Sequence, residues 1–61
     1  MLYTVSFSHI VEGQRVPLTN ASGDEITKMV EAPTKTAAMM DSVVQQFCEQ
    51  SGNDTRVRRV I

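Results

Sequence analysis

Only one stretch of this chain repeats its apolar residues at helical spacing, and it is bracketed by Pro33 and Gly52. Proline disfavours the helical region for the residue before it and is tolerated in a first helical turn; glycine ends helices by taking a positive φ. Between them Ala37, Met40, Val43, Val44, Phe47 and Cys48 recur three and four apart, with Asp41, Ser42, Gln45, Gln46 and Glu49 opposite. At about 100° per residue this stripe covers about half the circumference, which suits a helix lying across a sheet better than a coiled-coil seam. One continuous helix is expected over residues 34–51, with Thr34 or Thr36 as its cap and Met40, Val44 and Phe47 facing the sheet.

Elsewhere the pattern has a period of two. Tyr3, Val5 and Phe7 alternate with Thr4, Ser6 and Ser8, as a half-buried strand over residues 2–11 requires. Gly13 marks a reversal. If Gly13 and Gln14 form the loop, Glu12 faces Arg15 and Val11 faces Val16. Pro17 has no N–H for a central strand, so the returning arm at 15–18 is an edge, short or absent. Asn20-Ala21-Ser22-Gly23-Asp24 is a loop by composition, residues 25–32 are a further β-prone run, and residues 55–61 (TRVRRVI) are the last. The fold expected is α+β: a single small two-layer domain over residues 1–61, β-hairpin-β-α-β, with three or four mostly antiparallel strands under one amphipathic helix.

Size limits what this fold can hold. A 61-residue chain buries only about 60% of the surface its unfolded form exposes. Domains this small commonly rely on a disulfide, a metal or a partner subunit. Cys48 is the only cysteine and His9 the only histidine, so no intrachain disulfide forms and a zinc site lacks its usual four Cys and His ligands. Association is the expected staple, as a homodimer or a protein hetero-complex. No cofactor and no metal are expected.

Catalytic vocabulary is equally thin. His9 is the only histidine that could serve as a general base, and the reading adopted for it is a sheet-face or interface residue. Cys48 lies near the C-terminal end of the helical stripe, where the helix dipole works against a thiolate, and reads as a small buried hydrophobe. Acidic residues are scattered, and the three glycines stand apart, so neither a calcium loop nor a phosphate loop is present. The chain is expected not to be an enzyme.

Charge is unevenly placed. Residues 1–31 sum to −2, residues 32–52 to −1 and residues 53–61 to +2, which together make the net −1 of the chain. The last strand is thus a basic patch carrying Arg56, Arg58 and Arg59. By strict alternation Arg56 and Arg58 project with Val60, and Arg59 with Val57. These arginines and His9 form the expected interaction surface, serving as edge guards or gripping a partner's carboxylates. The function expected is a non-catalytic accessory or regulatory protein acting by protein docking; short genes of this kind are frequent in phages and mobile elements. The alternative is a nucleic-acid-binding dimer using the basic C-terminal strand, disfavoured by seven acidic residues against six basic ones. No basic leader and no apolar run of about 18 residues occur, and the lone cysteine suits a reducing interior. The chain reads as a complete small gene product with a cytoplasmic address and no membrane role.

Overall fold

The computed structural model describes all 61 residues. Four strands and a bent helix follow in the order β1 (Leu2–Val11), β2 (Gln14–Pro17), β3 (Thr27–Glu31), α1 (Lys35–Met39), α2 (Ser42–Ser51) and β4 (Arg56–Val60). This is the α+β architecture expected from the sequence. No helix is long and apolar enough to cross a membrane.

β1 is the axis of the sheet, and the other three strands pair with it antiparallel. β3 pairs with residues 2–6, β2 with residues 8–11, and β4 with residues 5–8. Because β4 overlaps both neighbours in register, β2 and β3 lie end to end along one edge of β1 and β4 occupies the other. The sheet is therefore three strands wide. Residues 18–26 loop out between β2 and β3 as a small side hairpin, closed by a Thr19–Glu25 bridge. The Asn20 side chain holds its tip, accepting from the N–H groups of Ser22 and Asp24 at 2.9 and 3.0 Å. β3 consequently begins at Thr27, later than the expected residue 25.

The β1–β2 turn also differs from expectation. Val11 pairs with Gln14, Ile10 with Arg15 and His9 with Val16, so the loop residues are Glu12 and Gly13. Both have positive φ, 52° and 80°, as the two-residue turn matching strand twist demands. The loop weighed from the sequence, Gly13 and Gln14, lies one residue too far along the chain, and the Val11–Val16 and Glu12–Arg15 pairs do not form.

The core is seven residues: Tyr3, Val5, Phe7, Val30, Ala32, Ala38 and Val44. Phe7 and Phe47 meet with ring centroids 4.6 Å apart, tilted by 51°, an arrangement favoured by the ring quadrupoles. Lys28, opposite Val5, lays its ammonium 4.8 Å from the Phe47 centroid and so closes the margin of the core with a cation.

The helix is not continuous. Thr34 caps α1, its hydroxyl accepting from the Ala37 N–H at 3.1 Å, as read from the sequence. Asp41 then leaves helical geometry (φ −57°, ψ 139°) and starts α2 as a fresh cap, its carboxylate accepting from the Val43 N–H at 2.9 Å. Gln45 reaches back to the Met39 carbonyl at 2.8 Å, satisfying an acceptor that the break would otherwise orphan. The bend changes the phase of the apolar stripe. Ala38 and Val44 turn inward, whereas Met40, expected to face the sheet, is 73% exposed, and Val43 is exposed as well.

Candidate interaction surface

β4 leads out of a tight connection. Gly52, Asn53 and Asp54 all have positive φ, at 67°, 48° and 55°, and the Thr55 N–H closes the turn on the Gly52 carbonyl at 3.0 Å. Asn and Asp tolerate this region better than other non-glycine residues.

Within β4, Val57 pairs with Phe7 and Arg56 with Ser8, but Arg59 pairs with Ser6 and Val60 with Val5. Arg58 is the extra residue of a β-bulge. Strict alternation is broken there, and the parity read from the sequence is corrected. Val57 and Val60 both join the core side, opposite Phe7 and Val5, while Arg56 and Arg59 lie opposite Ser8 and Ser6 on the face that carries no helix.

Two arginine straps cross the central strand in opposite directions. Arg15, from β2, donates to the Ser8 hydroxyl at 3.0 Å and to the Asp54 carboxylate at 2.8 Å. Arg58, from β4, donates to the Glu25 carboxylate of the side hairpin at 3.1 Å. Arg56 also reaches Asp54, at 3.3 Å. This network explains why Ser6 and Ser8 are each only 5% exposed on a face without a covering helix. Arg59 alone among the arginines has no carboxylate partner. Beyond it on the same face, Leu2, Met29 and Ile61 are exposed around Thr4.

His9 is placed elsewhere. It shares the parity of Phe7 and pairs with Val16, on the side away from the arginine straps, half-buried and without a side-chain hydrogen bond. The structure does not bring it together with Arg56, Arg58 and Arg59. Cys48 is partly buried against the core; burial, and then the neighbouring charge of Glu49, push its thiol above the usual value. A thiol raised in this way stays protonated at neutral pH, and the Cys48 side chain packs against the core. Nowhere do three His, Cys, Asp or Glu side chains converge as they would around a metal ion.

Sequence reasoning missed a second surface. Where the helix bends, Met39, Met40, Cys48 and Val57 line an open groove of about 300 Å³ with Gln45, Thr55 and Arg56 at its margin. A neighbouring depression shares Gln45, Cys48 and Thr55 but is edged by Glu49 and Asp54. The available signal was Asp41-Ser42 in mid-stripe, a capping pair where a helix interior was expected.

No protein-family model matches this chain, and no curated protein or solved structure is significantly similar to it.

Proposed function

We propose that this protein is a non-catalytic accessory or regulatory factor that acts by docking onto another protein through β4 and the face it presents. It works in the cytoplasm, where a lone thiol such as Cys48 stays reduced. One observation carries the reading: the bulge at Arg58 gathers the arginines on one face, and carboxylates of the same chain already hold two of the three on β4. Arg56 is tied to Asp54 and Arg58 to Glu25. A face built to grip a polyanion keeps its cations free for phosphates, since each neutralised phosphate contributes to affinity through counterion release. Here only Arg59 remains free, beside exposed apolar side chains, which is the mixed character of a protein-contact surface. The small core supports the same reading, because association with a second copy or another protein adds the burial that seven core residues do not supply.

The test compares wild type with Arg59→Glu, a change that breaks no ion pair of the fold. A defined partner captured from the native host's lysate by the wild type, and lost by the variant, is the expected result. Duplex DNA and RNA are titrated in parallel at about 150 mM salt, where weak binding is expected. Submicromolar nucleic-acid binding that Arg59→Glu abolishes would overturn the docking reading and favour the nucleic-acid-binding dimer.

A further inference from the structure

β4 ends the sheet on one side, and its outer edge has no strand beside it. Its backbone orientation follows from the pairing. The Phe7 carbonyl accepts from the Leu18 N–H at 3.0 Å, so Phe7 directs its backbone groups toward the β2 side. Val57, its partner across the other edge, must then direct its own N–H and C=O outward, away from β1. The Thr55 N–H is taken by the Gly52 carbonyl and Arg56 pairs inward with Ser8, so the outer edge of this stretch offers the Thr55 carbonyl and the Val57 N–H and C=O. The groove at the helix bend opens beside it, since Thr55, Arg56 and Val57 line that groove together with Met39, Met40 and Cys48. A free strand edge next to an apolar groove is the geometry that takes up an extended peptide: backbone hydrogen bonds supply affinity, and a side chain in the groove supplies selectivity.

We infer that the Thr55–Val57 edge of β4 and the groove at the helix bend bind an extended segment of a partner protein carrying a large apolar residue next to an acidic one. This rests on the docking reading and names what docks. Successive side chains of an added strand point to opposite faces. One that enters the groove on the helix side is followed by one on the open face, where Arg59 has no partner and Arg56 shares its carboxylate with Arg15. No carboxylate lines the groove, and the excess positive charge of this strand selects Asp or Glu at the neighbouring position. The Met39 and Met40 side chains, unbranched and polarizable, adapt to apolar residues of different shape. The bulge at Arg58 disrupts the edge beyond Val57, so growth along the whole strand is blocked and pairing is confined to the stretch beside the groove. A second copy is the wrong occupant, because antiparallel β4–β4 pairing centred on the bulge sets arginines from both chains against each other on one face.

The experiment selects a displayed library of random peptides on the immobilised full chain, then measures the synthetic winners in solution. Enriched peptides are expected to pair a large apolar residue with an adjacent Asp or Glu. Their affinity should fall by about tenfold or more on Met40→Glu, which places a carboxylate at an exposed position of the groove. A peptide N-methylated at alternate backbone positions should lose binding too, because the edge needs those donors. An unchanged circular dichroism spectrum and melting temperature verify that Met40→Glu is folded. No enrichment, a basic consensus, or equal affinity for wild type and Met40→Glu overturns the inference. If Arg59→Glu releases the lysate partner while Met40→Glu retains it, the docking reading stands and the strand-and-groove site falls. If neither change releases it, the docking reading itself fails.

Discussion

Val57 and Val60 stand three positions apart on β4 and yet face the same side of the sheet, opposite Phe7 and Val5. In an unbroken strand residues three apart face opposite ways. The bulge at Arg58 reconciles them, and the arrangement of the arginines follows from it.

Deleting Arg58 should therefore leave a folded protein. The shortened strand reads Arg-Val-Arg-Val-Ile, an uninterrupted alternation that keeps both valines inward and loses only the half-exposed Arg58–Glu25 pair, worth up to about 1 kcal/mol. Deleting Val57 removes the same length but sets an arginine against Phe7, and the protein should not fold. Thermal melts of the two variants decide the matter. Similar behaviour of both would show that the bulge is not what positions the valines.

The turn at Glu12 offers a gain in stability. Glu12 holds φ 52° next to Gly13 at 80°, a left-handed conformation that costs a residue other than glycine about 1–2 kcal/mol. Asparagine tolerates it, and Asn-Gly is the favoured pair for such a turn. Glu12→Asn should stabilise by about 0.5–1 kcal/mol, raising the melting temperature by about 2–8 °C. No change or a decrease would mean that the turn relaxes to another form in solution.

What the sequence disclosed depended on how local each signal is. The alternation of Tyr3, Val5 and Phe7 and the boundaries at Pro33 and Gly52 are properties of neighbouring residues, and they led directly to β1 and to the helical segment. The bend at Asp41 was hidden because a caps-and-restarts helix and a continuous one differ by about one cap's worth of free energy, about 1 kcal/mol, and packing settles so small a difference. The bulge was hidden because it exists only relative to β1: Arg58 and Arg59 look alike until Ser6 and Phe7 choose their partners. For the same reason His9 and the arginines could be read as one surface, when β1 presents His9 and Ser8 to opposite sides. The groove followed from the bend and was illegible without it.

The Phe47 ring carries two contacts whose contributions can be separated. It packs on Phe7 and beneath the Lys28 ammonium. Phe47→Ala should cost about 3 kcal/mol or more, a large part of the total for a domain whose stability is about 5 kcal/mol, and leave it substantially unfolded. Lys28→Ala should cost only about 0.5–1 kcal/mol. In a Phe47→Leu background the lysine substitution should lose that effect, since no ring remains beneath the ammonium. A lysine effect of equal size in both backgrounds would show that Lys28 acts through something other than the ring.

Arg15 and Ser8 provide the last test, because their hydrogen bond joins an exposed donor to a buried acceptor, and removing the donor is worse than removing the acceptor. Arg15 donates to the Ser8 hydroxyl, the Asp54 carbonyl and the Asp54 carboxylate. Arg15→Ala leaves the hydroxyl of a 5%-exposed serine without its donor and opens the strap that shields it. The unfavourable exposure or desolvation of a stranded polar group is about 1–3 kcal/mol; because Arg15 is itself exposed and water enters when it is cut back, about 1–1.5 kcal/mol is the expected loss. Ser8→Ala removes the acceptor but leaves Arg15 on Asp54, in contact with solvent, so its effect should stay within about 0.5 kcal/mol. In the Ser8→Ala background Arg15→Ala should become milder, the two substitutions being non-additive as residues in direct contact are. Urea unfolding of the two single variants and the double variant measures all three values. Strict additivity would mean that the Arg15–Ser8 bond contributes nothing, and that Ser8 owes its burial to the rest of the sheet.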